Sequence, residues 1–380
     1  LSYFNDMLSR AAHTPLSLLV LGIVALFCGG ASRLRAADPT AEQQYWLELI
    51  NRMRMSPADE LNRLVNFSSP GVWAATKSDD PDVQAALDYF GTSAADLQAQ
   101  WNTLSSAPAL AWNSHLNESA TSYSNLMVTS DAQEHDLDGG DIVSRINTAG
   151  YTQYLDAGEA LFSTAKSIDH GHAGFAIDWG DGNGAGAGFG NGIQDPAGHR
   201  ENMMFPFFKE VGIGFQSIAI PGSNNIANGP YVVTQHYASS YRYTGSNYVS
   251  DAILTGTVFN DALLADDFYT PGEGIAGIAV DVYHVASNTL VASGFTNSVG
   301  GYNISLAGLI ADEEYRVTAP ATGDADQFFS LSSHPEIYGV TSVEIFDNQY
   351  ARFQTVPEPA GPLLVLTSGL LLLNRRKRTP

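Results

Sequence analysis

Four short stretches of this sequence crowd imidazole and carboxylate groups together. They are "EHDLDGGDIVSRINTAGY" around His135, "DAGEAL" around Glu159, "DHGHAGFAIDWGD" from Asp169 to Asp181, and "DPAGHRENM" around His199. Neutral imidazoles with one or two carboxylates hold a divalent transition ion such as zinc and leave a coordination position open. The same groups without metal supply a base and an orienting acid, because imidazole titrates near neutrality. Each also has a plainer use. His135 stands in a run with Asp136, Asp138 and Asp141 that suits a helix start, His199 follows Pro196 where a helix start packs, and Glu159 after Gly158 can cap a strand end. His170 and His172 form an H-x-H pair whose rings share a face on a strand and diverge on a helix. No G-x-S-x-G, no H-E-x-x-H and no cysteine other than Cys28 is present, so no motif positions a nucleophile, which weakens a hydrolytic reading.

The elements that must position these groups follow from periodicity. "AEQQYWLELINRMRM" sets Trp46, Leu49, Ile50 and Met53 on one helical stripe. Ser56, Pro57 and Asp59 read as the start of a second helix with a capping box. "NSHLNESATSYSNLMVTSD" places Leu116, Ala120, Tyr123 and Met127 on one face of a third. Residues 67–107 read as an insertion with two modest helical segments. Residues 180–192, "GDGNGAGAGFGNG", lack the strand, lysine and helix start of a phosphate loop, and read as a flexible surface loop or lid. "YVVTQHYAS" is a strand whose alternation puts His236 in the core or on a cleft floor. After residue 250 helical periods stop. "GIAGIAVDVYHVA", with Ile278, Val280 and Val282 on one face, is followed by "TLVASGFT", "GGYNISL" and "EYRVTAP" with turn residues between them, the pattern of a small all-β sandwich.

A chain of 380 residues, 44% hydrophobic, can bury cores for two domains. Arg10, the apolar run "PLSLLVLGIVALFCGG" and the small residues before Asp38 make residues 1–37 an export signal, with an uncut membrane anchor as the alternative. Cys28 lies within it, so the mature body has no disulfide. The formal charge is −22, and removing both ends takes away seven bases against two acids. So acidic a body repels phosphate backbones and anionic lipid and admits cations, which argues against nucleic acid as a partner; the same surface equally serves solubility alone. The tail "VPEPAGPLLVLTSGLLLLNRRKR" resembles the PEP-CTERM sorting signal of Gram-negative bacteria. The resemblance implies exosortase-type processing and delivery of the body to the cell surface or matrix, with transient membrane contact through the terminal segments. A short C-terminal membrane helix is the alternative.

The ordered motifs "LELINRMR", "LAWNSHLNESATSYSNLM", "HDLDGGDIVSRINTAGY", "GEAL", "AGHRENMMFPFFKEVGIGF" and "YVVTQHYAS" resemble the bacterial branch of the CAP superfamily, also called the SCP domain. The resemblance implies an α+β fold, an α-β-α sandwich over residues 38–247, with a cleft lined by two histidines and two acids. His135, His199 and Glu159 match three of the four. The usual fourth acid falls at Gly182, leaving Asp181 or Asp178 as the substitute. Ala160 stands where asparagine is usual. Residues 251–355, opening with "GTVFNDALLADDFYTPGEGIAGIAV", resemble Cna-B-like surface-protein domains. By that resemblance Asp261, Asp266, Asp267 and Glu273 match a calcium loop, although Leu263 and Leu264 replace the usual Asn-Gly; a solvated acidic turn is the alternative. The reading is of an exported surface or matrix protein whose CAP domain binds a lipid, glycan or protein, with the β domain as stalk and cell-surface or matrix components as partners. The alternatives are a metal-assisted hydrolase built on His135, His199, Glu159 and Asp181, and a purely structural matrix component.

Overall fold

The computed structural model describes residues 37–181, 190–218, 229–338 and 341–355. The expected export signal, most of the glycine-rich run and the sorting tail lie outside these described residues.

Helix α1 (Ala41–Met55) begins at Thr40, whose hydroxyl accepts from the Gln43 N–H while the Gln43 side chain accepts from the Thr40 N–H, the reciprocal bonding of a capping box. Trp46, Leu49, Ile50 and Met53 are buried as their spacing requires. Helix α2 (Pro57–Leu64) starts at Pro57, but the Ser56 side chain makes no capping bond. Ser56 is also the C-cap of α1, its N–H donating to Arg52 O, with φ −141° and ψ 67°, which is not the geometry from which a capping hydroxyl reaches forward.

The insertion forms a hairpin, β1 (Phe67–Ser69) with β2 (Val72–Trp73), then helices α3 (Pro81–Phe90) and α4 (Ala94–Trp101), capped by Asp80 and Ser93. Val83, Leu87, Leu97 and Trp101 join the main core, so the segment is part of the fold.

Strand β3 (Ala111–Trp112) leads into helix α5 (Ser114–Ser130), whose first amides are accepted by the Asn113 side chain. Helix α6 (Ile142–Thr148) starts at Asp141. Strand β4 (Tyr154–Ala165), helices α7 (Ile168–Ile177) and α8 (Gly198–Met204), and strands β5 (Glu210–Ser217) and β6 (Tyr231–Ser240) follow. The sheet order is β3-β5-β6-β4, antiparallel except for β3 with β5. Helix α5 lies directly on β5: a Cβ at Gly212 would stand 2.0 Å from Asn117 N, and one at Gly214 2.2 Å from Ala120 O. Close backbone approach of this kind admits only glycine. On the other face a Cβ at Gly158 would meet Asn202 and Phe208, and Phe162 packs on Phe175 of α7. Side chains alternate along a strand, so Glu159, and His236 and Gly212 in register with it, face α5 and α6.

Three polar side chains shape this region further. The outer edge of β4 is closed by Gln133, which donates to Leu161 O at 3.3 Å and accepts from Ser163 N at 2.7 Å; Asn202 donates to Glu159 O and Gly229 N to Ser163 O. Arg54, fully buried, donates to the carbonyls of Pro108, Met203, Phe205 and Phe208 and so fixes the turn from α8 into β5.

Strands β7 (Arg242–Tyr243) and β8 (Tyr248–Ser250) precede β9 (Ile253–Phe259), β10 (Ala279–His284), β11 (Thr289–Phe295), β12 (Gly301–Ser305) and β13 (Glu314–Thr318). The remaining strands are β14 (Gln327–Ser330), β15 (Ser333–Tyr338), β16 (Thr341–Phe346), β17 (Gln349–Tyr350) and β18 (Phe353–Gln354). One sheet runs β11-β10-β13-β14, a second β12-β9-β17 with β18 also beside β9, and a third β15-β16-β8-β7. Val280, Val282, Leu254, Ile304, Val317 and Phe353 share one core.

The third sheet joins strands from both sides of residue 250, and polar side chains stitch the same seam. Asn348 donates to Ala109 O at 2.9 Å and Lys209 O at 2.7 Å. The buried Lys209 ammonium donates to the carbonyls of Ser250, Asp251 and Phe346. Tyr350 donates to the buried carboxylate of Glu48.

Candidate functional site

Glu159 projects toward α6 into a cage of donors. Its Oε1 lies 2.7 Å from His135 Nδ1 and its Oε2 2.8 Å from His236 Nε2. Arg145 Nη2 donates to both oxygens, at 2.9 and 2.8 Å. Arg145 Nη1 donates to Asp138 at 2.9 Å, and the guanidinium carbon lies 4.0 Å over the Tyr123 ring. Burial alone would raise the Glu159 pKa, but the bonds from His135 and His236 and the Arg145 charge prevail and bring it to about 2. Burial pushes His236 below the usual imidazole range despite the carboxylate beside it. It is a neutral ring donating through Nε2, and its buried Nδ1 has no partner among the described residues.

A second carboxylate is held the same way. Burial would raise Glu60, but hydrogen bonds from His172 and Arg52 take it from 4.5 to about 2. Both glutamates therefore titrate lower folded than unfolded. The stability they contribute is fully present above the unfolded range and is lost as pH falls through about 2. Acid titration followed by near-ultraviolet circular dichroism is expected to show tertiary structure lost between about pH 4.5 and 2. A midpoint above pH 5 would contradict this.

His199 belongs to a different cluster. Asp178 ends α7 in the left-handed region, φ 58°, and is fully buried. Its Oδ2 accepts from the His199 and Arg200 amides at 2.9 and 3.2 Å, which opens α8, and its Oδ1 lies 2.8 Å from His199 Nδ1. The ring stands edge-on to Phe175 at 5.3 Å and borders a cleft of about 650 Å³ along the edge of β4. Tyr89 and Phe90 of α3 form one wall, and Phe162, Trp179, Gln194 and Asp181 others. His170 stacks on Phe162 at 5.7 Å; burial lowers its pKa, so it is an uncharged part of this wall. His172 is buried against Glu60 at 2.8 Å. The H-x-H pair lies on a helix, and its rings go to separate places.

Of the four expected residues, then, His135 and Glu159 meet, while His199 pairs with Asp178 and shares its cleft with Asp181. Strand β4 lies between the two groups. Sequence reasoning left Arg145 without a role and gave His236 only packing; the one signal was an arginine in the same motif as His135. Among the described residues no group of three or more His, Cys, Asp or Glu is disposed to hold a metal. The chemistry agrees: both Glu159 oxygens already accept from the Arg145 cation, which a zinc ion beside them would have to displace.

The acidic loop after β9 is also turned on itself. Asp261 accepts from the Asp266 and Asp267 amides, and buried Glu273 from those of Leu263, Leu264 and Thr270. Asp267 faces Arg352 at 3.2 Å. Carboxylates so engaged act as loop staples, and a calcium ion here would sit beside that guanidinium; the set does not fit the ion.

The sequence matches the family model of CAP, the cysteine-rich secretory protein family, over residues 47–237. Among solved structures it is similar to an extracellular protein containing a SCP domain from Bacillus anthracis str. Ames. That likeness is 17% in identity, covers 42% of this chain and 43% of that one, and has a TM-score of 0.25. It is also similar to the major plantain pollen allergen Pla l 1, at 17% identity over 30% of this chain and 100% of that one, with a TM-score of 0.16. The chain thus spans less than half the length of the Bacillus protein. No curated protein matches it. Among the described residues no helix is long and apolar enough to cross a membrane.

Proposed function

This chain belongs to the CAP family, and from that premise we propose that it is an exported binding protein, displayed at a Gram-negative cell surface or in the matrix around it. Its ligand, a lipid, glycan or protein segment, occupies the cleft beside His199. The observation that carries this reading is the cleft itself: its volume suits a small ligand, its walls are aromatic, and a few fixed polar groups orient what enters. The imidazole is held by a buried carboxylate, so its free edge presents one hydrogen-bonding group in a set direction. The β strands, tied through Lys209 and Asn348, hold the cleft outward on a rigid mount.

A second reading, hydrolysis, draws on the same dyad. Asp178 fixes Nδ1–H of His199 and leaves Nε2 as a base. That version uses no metal, because the donors the metal would need stand on both sides of β4.

Binding of the purified chain to glycan arrays, lipid vesicles and matrix extract separates the readings. Ala86→Trp, at the α3 wall, is expected to weaken capture at least tenfold with little change in melting temperature. His199→Ala is expected to weaken it several-fold. Turnover of peptides or esters that His199→Ala abolishes would replace binding with hydrolysis.

A further inference from the structure

A strand at the rim of a sheet presents unpaired N–H and C=O groups, on which another strand can add. Most rims of this protein are short or covered. Strands β3, β7 and β17 are two residues long and β14 four. Strand β15 carries Pro335 and Glu336, β12 meets the helical part where Asn303 donates to Trp112 O, and β4 has the side-chain amides of Gln133 and Asn202 on part of its rim. Strand β11, an outer strand of the sheet β11-β10-β13-β14, has none of these devices. Its seven residues, TLVASGF, include no charge and no proline, and among the described residues its backbone pairs with β10 alone. Leu290, Val291 and Phe295 are three of the twelve large hydrophobic side chains that stand exposed among the described residues, Phe295 at 70%. Leu290 lies opposite Tyr283, Ser293 opposite Asp281 and Phe295 opposite Ala279, positions that alternate with the core residues Val280 and Val282, so all three take the open face of the sheet. A bulge at Val291 interrupts the strand once, and residues 292–295 beyond it pair regularly.

We propose that β11 pairs with β11 of a second copy of this chain, antiparallel about a two-fold axis, joining two four-stranded sheets into one of eight. A two-fold contact sets a surface against itself, so an acidic rim would repel its own copy. The chain carries a formal charge of −22, yet residues 285–311 contain no Asp, Glu, Lys, Arg or His. Two copies of so acidic a protein therefore meet here without opposing carboxylates. Asp281, one strand in from the rim, accepts from the Ser293 hydroxyl at 2.6 Å. Backbone hydrogen bonds supply the attraction, and Leu290 and Phe295 of each copy continue the apolar strip across the axis. A pairing of seven residues lies at the small end of specific interfaces, under about 1,200 Å², so the dimer is reversible and forms where molecules are concentrated.

Sedimentation equilibrium of the whole protein, through the micromolar range to about 500 μM, tests the proposal. A monomer–dimer equilibrium is expected. Ser293 and Phe295 are exposed, so Ser293→Lys and Phe295→Lys are each expected to keep the wild-type melting temperature and weaken dimerisation at least tenfold; either serves if the other does not fold. Phe328→Lys, exposed on β14 at the opposite rim of the same sheet, is expected to leave it unchanged. Crosslinking locates the contact. With Cys28→Ser in place, Ser293→Cys is expected to give a covalent dimer with a short bismaleimide, and Phe328→Cys none. A monomer at every concentration, dimerisation undiminished in both lysine variants of β11, or crosslinking through Phe328→Cys instead would overturn the proposal.

Discussion

Deleting residues 251–355 is expected to leave residues 38–250 without a cooperative unfolding transition. The reason lies in the seam. The carbonyls of Ala109 and Lys209 lose the Asn348 amide, the Lys209 ammonium loses two of its three acceptors, and Glu48 loses Tyr350. Strand β8 loses its parallel neighbour β16. Burial holds the Lys209 pKa down to about 8, so at neutral pH the shortened chain carries a cation whose acceptors have mostly gone. A milder version is Asn348→Ala, which takes the side-chain partner from the Ala109 carbonyl and the Ile253 N–H while Lys209 O keeps the Ala111 N–H, and is expected to cost about 2–4 kcal/mol in urea titrations. A truncated chain with a native near-ultraviolet spectrum and a single sharp melt would show that the seam is dispensable.

The second large effect is expected at Glu159. Replacing it with alanine removes the anion that Arg145, His135 and His236 surround and leaves a guanidinium 8% exposed with only Asp138 as counter-charge. Breaking one side of a buried ion pair costs about 3–5 kcal/mol. By contrast His135, 65% exposed, is expected to cost under about 1 kcal/mol when replaced by alanine. Equal losses for the two variants in chemical denaturation would mean that the cage is solvated and that Arg145 is not its centre.

Much of the helical frame was legible. The stripe Trp46–Met53 and the face Leu116–Met127 are burial patterns at fixed spacing, and Asn113, Asp141 and Pro57 mark starts chemically. Alternation likewise placed Val280 and Val282 inward. The candidate site was legible only in pieces, because motif order says nothing about which face of a sheet a strand residue takes. That choice rests on Gly212 and Gly214 admitting α5 to one side, which puts Glu159 with Arg145 there and leaves His199 beyond β4. His236 lies 77 positions from its carboxylate and Asn348 139 positions from the Lys209 carbonyl. Neither pairing leaves a periodic trace. The acidic loop was ambiguous for another reason: carboxylates spaced for an ion are equally well spaced for the amides of their own turn.

The outer margin of β4 has a consequence for how molecules of this protein meet. A bare strand rim is a template on which other chains add and grow into fibrils. Here the side-chain amides of Gln133 and Asn202 occupy the rim at Glu159 O, Leu161 O and Ser163 N, standing in for part of the strand that would otherwise be recruited. Crowding at high concentration therefore meets a rim already occupied over residues 159–163 of the longest strand of the central sheet, which leaves a shorter template for a second chain.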